Sequence, residues 1–182
     1  MGSSHHSRTI AASYKFRTEQ FFNFVAQIQN IMSDLRIIEI DNTAQLEACA
    51  PLLVEAFNTA YPDEWTYETA LKKLIDYFQS PRFLGFIVYE GEAVVGGCIG
   101  NIETYFLGDH YYLKELFVDP KAQGKGIGQQ IMQRVKVELA GLEVPLISLY
   151  TMDEGPQVTF YEKQGFQQVK GMCMMVFGGE EE

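Results

Sequence analysis

The chain reads as one α/β domain in which strands and helices follow one another. Three observations predict it. Strand-like runs and runs of helical period alternate through the second half of the chain. Tyr111–Val118, an apolar and aromatic strand, passes through the break Asp119-Pro120 and a glycine-rich turn into a helix marked by Ile127, Ile131, Val135 and Leu139. The 182 residues suffice for a sizeable core, and no repeat or low-complexity linker divides them.

Taken in order, Met1–Ser7, with His5 and His6, has the look of an expression-tag remnant. Phe21, Phe22, Val25, Ile28 and Met32 recur at helical spacing, so Thr18–Ile31 is expected to be an amphipathic helix. It lacks the apolar core and cleavage site of a secretory signal. Residues 1–31 are therefore set apart as tag and helical extension, residues 32–179 as the domain, and residues 180–182 as an acidic tail. Leu35–Ile40 is a short strand. Thr43 is the expected N-cap of a helix whose buried face carries Leu46, Cys49, Leu53 and Phe57. A second helix, Tyr67–Phe78, is closed by Pro81.

Phe83–Glu90 and Ala93–Ile102 form a hairpin around Glu90-Gly91-Glu92, and Gly96-Gly97 marks a bulge or a close backbone approach. Glu103–Leu107 and Tyr111–Val118 are strands separated at Gly108-Asp109. After the glycine turn and its helix, Pro145–Tyr150 is a strand and Gln157–Gln164 a helix capped by Gly165. Phe166–Val169 and Met172–Phe177 read as a closing hairpin.

Composition narrows the function classes. A net charge of −10 argues against nucleic acid and suits a cationic partner or simple solubility. No apolar run is long enough to span a membrane. Cys49, Cys98 and Cys173 are scattered singly, which suits a reducing cytoplasm, and no Cys/His cluster has metal-ligand spacing.

A strand, a glycine-rich turn and a helix N-terminus together make an anion site, because main-chain N–H groups converge there and glycine admits close approach. The turn Gln123-Gly124-Lys125-Gly126-Ile127-Gly128 fails the Walker pattern, since Gly126 follows Lys125 and Asp119 stands where its first glycine would be. It also fails the dinucleotide pattern in both registers, which end at Gln129 and Ile131. What remains is Gln-x-x-Gly-x-Gly after a strand, which resembles the coenzyme A loop of the GNAT superfamily of N-acetyltransferases. About 33 residues later, Phe160-Tyr161-Glu162-Lys163-Gln164-Gly165-Phe166 resembles that superfamily's second signature. The likeness covers Leu35–Phe177.

The resemblance implies a GNAT fold, with a central mixed, mostly antiparallel six- to seven-stranded sheet, flanked by helices, that splays at its middle and holds acetyl-CoA in the opening. The backbone of Leu116, Phe117 and Val118 would bind the pantetheine arm as an added strand. Gln123, Gly124, Lys125, Gly126, Ile127 and Gly128 would surround the pyrophosphate. Tyr161 matches the tyrosine general acid, and Glu115 stands where several members keep a glutamate base. Where members often carry Asn before the tyrosine, this chain has Asp153 and Glu154, which puts the local cofactor contacts there in question.

The chemistry is consistent with these roles. An amine near pKa 10 must lose a proton before it attacks a thioester, and a carboxylate can take it. A thiolate leaving group needs a proton, and a phenol still holds one at neutral pH. A backbone N–H of Phe117 or Val118 would stabilise the carbonyl oxygen. A covalent route through Cys98 or Cys173 competes with ordinary burial of small apolar cysteines.

The acceptor is expected to be a small, cationic primary amine of aminoglycoside or polyamine type. Carboxylates interleaved with aromatics carry that reading, with Trp65, Glu103 and Tyr111 as its contacts. A protein or peptide amine, and a non-catalytic acetyl-CoA sensor, remain as alternatives. Met172, Met174 and Met175 fit either a homodimer face or a core strand.

Overall fold

A computed structural model of the chain describes residues 35–106, 108–175 and 177. The expected helix at 18–31 and the acidic tail at 180–182 lie outside the described residues.

Five strands form one sheet in the order β1-β2-β3-β4-β5. β1 (Leu35–Glu39), β2 (Phe83–Glu90), β3 (Ala93–Tyr105) and β4 (Gly108–Val118) run antiparallel to their neighbours. β5 (Leu146–Ser148) is parallel to β4. Helices α1 (Thr43–Ala60) and α2 (Tyr67–Phe78) cover one face, with Leu46, Leu53 and Leu74 packed on Ile87, Ile99 and Phe117. Helices α3 (Ile127–Gly141) and α4 (Pro156–Lys163) lie on the other. There Ile131, Met132, Val135 and Leu139 meet Phe86, Val88, Cys98 and Leu113. The helical period of α3 and the two-residue period of the strands meet face to face, which is what closes the two cores.

Several expectations about elements are corrected. Asn42, not Thr43, caps α1: its side chain accepts from the Gln45 N–H at 3.1 Å, and Gln45 Oε1 accepts from the Asn42 N–H at 3.3 Å. The stretch Glu103–Tyr105 is the end of β3 rather than a strand of its own. The sheet has five strands among the described residues, not six or seven. Phe166–Val169 and Met172–Met175 form no strand, and Val169, Met172, Met174 and Met175 are exposed. Their run of apolar side chains has no alternation to fix a register, and β5 offers only three paired residues as a template.

Two irregularities in the sheet matter for the site. The β2–β3 register shifts at Val95, one residue before the glycine pair. Gly96 and Gly97 themselves provide close approach: a Cβ on Gly97 would lie 2.7 Å from the Phe117 ring. The β3–β4 register passes from Ile99↔Glu115 to Gly100↔Leu113, so Lys114 is an extra residue in β4. That bulge reverses the alternation along the strand. Tyr111 and Leu113 face α3, and without the bulge Glu115 would too. With it, Glu115 joins Phe117 on the α2 face, while Leu116 and Val118 turn to α3.

Candidate active site

The sheet opens between β4 and β5. Their pairing ends at Tyr112↔Ser148, and β4 runs on for six residues, 113–118, with no β5 partner. The Asp119 N–H bonds the Val95 carbonyl at 3.0 Å. Main-chain groups of an antiparallel pair alternate in direction, so those of Phe117 also turn to β3, while those of Leu116 and Val118 turn to the open edge. The Val118 carbonyl accepts from Gln123 Nε2 at 3.3 Å. This leaves the N–H and C=O of Leu116 and the N–H of Val118 as a template for an extended ligand.

The glycine turn stands at the end of that edge. Asp119 fixes its start, accepting the Lys121 N–H at 2.8 Å, and the 3-10 turn Pro120–Ala122 leads into it. Gly124 and Gly126 have φ of +77° and +82°, in the left-handed region open to glycine, and a Cβ on either would meet nothing within 4 Å. Gly126 caps α3 without a side-chain hydrogen bond, so the first-turn N–H groups are not covered by a capping side chain. Gln123, Gly124, Lys125 and Gly126 are exposed, Gly128 is half-buried, and Ile127 is buried as the first anchor of α3. Lys121 Nζ is paired with Glu55 at 2.9 Å.

Glu115 is 7% exposed, and Lys73 Nζ of α2 lies 2.7 Å from its Oε1. The Tyr77 hydroxyl is near enough to act on the same carboxylate. Burial pushes the Glu115 carboxyl above the ordinary carboxylate range, and the Lys73 ammonium and the Tyr77 hydroxyl pull it part of the way back. Tyr77 is raised in turn, by burial first and then by the Glu115 charge. The Lys73 ammonium sits 4.6 Å from the Trp65 ring centre and 5.9 Å from that of Tyr77. Lys73 and Tyr77 were not expected from the sequence; their spacing of four on one helix face was the available signal.

Tyr161 comes from α4, on the other face. Its ring meets Phe160 at 5.1 Å and Phe166 at 5.5 Å, both edge-on. Burial pushes its hydroxyl well above the ordinary tyrosine value, and the neighbouring Cys98, Tyr61 and Glu115 add to the rise. The phenol is therefore protonated at neutral pH and lies within electrostatic reach of Glu115.

The expected acceptor contacts fare differently. Trp65 is half-buried. Its indole N–H bonds Asp63 at 3.0 Å, and with Thr69, Lys72, Lys73, Asp76 and Tyr77 it lines an open cleft of about 300 Å³. Glu103 is held by Asn101 Nδ2 at 3.3 Å and Lys114 Nζ at 3.5 Å. Tyr111 is corrected: it is fully buried in the α3 core and its hydroxyl donates to the Leu84 carbonyl at 2.8 Å, so it is a core residue rather than an acceptor contact. Its neighbour Tyr112 remains at the surface, 5.6 Å from Tyr150 across the point where β4 and β5 part. Asp153 and Glu154 are exposed, and the Asp153 carbonyl accepts from Gln168 Nε2 at 3.2 Å.

Among the described residues, no group of three or more His, Cys, Asp or Glu is placed to hold a metal ion, and no helix is long and apolar enough to cross a membrane.

Residues 81–168 match the family model of the acetyltransferase (GNAT) domain. The chain resembles a possible acetyltransferase from Clostridium difficile, at 16% identity and a TM-score of 0.66, over 81% of this chain and 99% of that one. It also resembles an aminoglycoside acetyltransferase from an uncultured soil metagenomic sample, solved in complex with sisomicin, at 13% identity and a TM-score of 0.63, over 83% and 99% of the two chains. A transcriptional regulator from Bacillus halodurans matches at 19% identity and a TM-score of 0.65, over 79% and 99%. At these identities the likeness is one of fold. No curated protein matches the sequence.

Proposed function

We propose that this chain, which carries a GNAT acetyltransferase domain and has the GNAT fold, moves an acetyl group from acetyl-CoA to a primary amine of a small molecule. The observation that carries the reading is the open edge of β4 beside the glycine turn. Free main-chain groups on Leu116 and Val118 lead to uncapped N–H groups at the start of α3. The residues fit the group: an extended pantetheine arm matches the strand edge, and a pyrophosphate matches a turn whose glycines leave room where a Cβ would stand.

Acetyl-CoA, when bound, supplies the activated acetyl group as a thioester. The chain's own residues do the rest. Leu116 and Val118 hold the arm by main-chain bonds, and Gln123, Gly124, Lys125, Gly126, Ile127 and Gly128 surround the phosphates. Phe117 contributes through its buried ring, since its N–H turns to β3. The Val118 N–H faces the opening and is the donor for the thioester carbonyl oxygen. The Glu115 carboxylate takes the proton of the attacking amine, and the Tyr161 hydroxyl gives one to the departing sulfur.

The acceptor binds on the α2 face, near Trp65 and Glu103. Its cationic character rests on the net charge of −10 and on the exposed Asp63 and Glu64. Glu115, Glu103 and Asp109 are already partnered by Lys73, Lys114 and Arg82. A polycation must use the remaining carboxylates or displace those partners. The reading places the enzyme in the cytoplasm, on its free thiols, and makes it a homodimer through the exposed Met172, Met174 and Met175. Sedimentation of the purified chain tests the dimer.

The test of function is CoA release from acetyl-CoA against aminoglycosides, polyamines, amino acids and peptides, for the wild type and Tyr161→Phe. Turnover on one amine class that falls by about 10²–10⁴ in the variant is the expected result. Binding of acetyl-CoA without turnover on any acceptor would replace the enzyme with a sensor.

A further inference from the structure

Glu115 is a carboxylate taken out of water, and such a group keeps its charge only with a partner. Its partner is part of the fold. Lys73 reaches from the middle of α2 to Glu115 Oε1 at 2.7 Å, and its side chain is only 27% exposed. The ammonium is aimed by the rings of Trp65 and Tyr77, and Trp65 is itself fixed by Asn58, which accepts its main-chain N–H and donates to its carbonyl, both at 3.0 Å. On the strand side, the Lys114 bulge is what turns Glu115 to meet it. Two independent features of the fold thus converge on one ion pair.

We propose that Lys73 is a positioning residue for Glu115: held between Trp65 and Tyr77, it fixes the carboxylate beside the β4–β5 opening in its charged, proton-accepting form. The proposal rests on the reading of Glu115 as the base. The titratable groups facing Glu115 are Lys73 and Tyr77 from α2 and Tyr161 from α4, with Tyr61 beside Tyr161. Lys72 and Asp76 pair with each other at 2.6 Å on the exposed side of α2. Lys73 is therefore the cation that bonds the Glu115 carboxylate. An adjacent ammonium lowers the midpoint at which a carboxylate takes up a proton, so its removal raises that midpoint.

The experiment follows Glu115 directly. The protein is labelled with glutamate carrying ¹³C at the side-chain carboxyl, and the Glu115 signal, assigned by its loss in Glu115→Gln, is titrated in the wild type, Lys73→Met, Lys73→Gln and Lys73→Arg. The expected midpoint rises by about one to two pH units in the Met and Gln variants and stays near wild type in Arg. In parallel, the acid limb of kcat/KM moves up by the same amount. A midpoint that does not move overturns the proposal whatever the activity does. A midpoint that moves while the acid limb stays also overturns it, because Glu115 is then not the group that takes the proton, and a uniform fall in activity with neither shift means that Lys73 acts on packing alone. A wild type with no turnover but a movable midpoint sinks the reading of Glu115 as a base, and the proposal with it.

Discussion

Phe160 rests on Gly128. A Cβ built at Gly128 would lie 3.3 Å from two carbons of the Phe160 ring. The residue that ends the glycine turn is thus in contact with the residue before Tyr161, and the two signatures form one packed unit. Lys136 adds a second tie, donating from α3 to the Gln164 carbonyl at the end of α4 at 2.7 Å.

Substituting Gly128 probes that contact. Phe160 is half-buried on a two-turn helix and has room to give a few tenths of an ångström. Gly128→Ala is expected to leave stability within about 1 kcal/mol, since alanine's better helix propensity offsets the tight contact. Gly128→Val is expected to cost about 1–3 kcal/mol by overpacking and to displace α4. Urea unfolding measures the first effect and acetyl-CoA affinity the second. Equal behaviour of the two variants would mean that α4 is not seated on the turn.

Tyr161 gives a prediction in pH. Burial raises its ionisation above the ordinary tyrosine value, so the group still holds its proton where exposed phenols have lost theirs. In the folded protein, Tyr161→Phe is expected to leave the tyrosinate absorbance gained between about pH 9 and 11 unchanged. The missing tyrosine should appear only after unfolding. A native-state loss equal to one tyrosine would show that the phenol is open to water.

The sequence made most of the fold legible because its signals are local. Tyr67–Phe78 and Phe83–Glu90 have the bounds that their periodicity and flanking prolines, glycines and acids predict. The glycine turn and the Phe160-Tyr161 helix were readable as motifs, since each needs particular residues at fixed offsets. The face of Glu115 was not. It depends on the extra residue at Lys114, and strict alternation would have put Glu115 with Leu113 against α3. The Lys73 partnership depends on packing between elements about 40 residues apart, which no local pattern encodes. Tyr111 and Tyr112 look equivalent in sequence, yet the strand sends one into the core and leaves the other at the surface.

That distinction is testable. Tyr111→Phe removes the bond to the buried Leu84 carbonyl and is expected to cost about 1–3 kcal/mol of stability while leaving KM for the amine unchanged. Gly100→Ala is expected to cost more than about 3 kcal/mol, because its Cβ would run into the Tyr111 ring and the Tyr112 carbonyl, and backbone cannot move aside as a side chain can. Thermal unfolding compares the two. A raised KM in Tyr111→Phe with unchanged stability would return Tyr111 to the acceptor site.

The cysteines provide the last test, because Cys98 lies close to the site. It pairs with Leu116 across the β3–β4 ladder and acts electrostatically on Tyr161, so a thiol stands near the place proposed for the thioester. Nucleophilic attack needs the thiolate. Burial pushes the Cys98 and Cys49 thiols up to about 12, which leaves roughly one molecule in ten thousand ionised at about pH 8. Cys173 is exposed. In the native protein, a disulfide-exchange reagent at that pH is expected to titrate Cys173 alone, and all three thiols after unfolding. Cys98→Ala is expected to lose about 1 kcal/mol of packing but to keep turnover within a few-fold. An acetyl group recovered on Cys98 after exposure to acetyl-CoA, together with loss of turnover in Cys98→Ala, would instead require a covalent route without a ternary complex, in which the amine attacks the acetyl-cysteine thioester and still gives up its proton to a base.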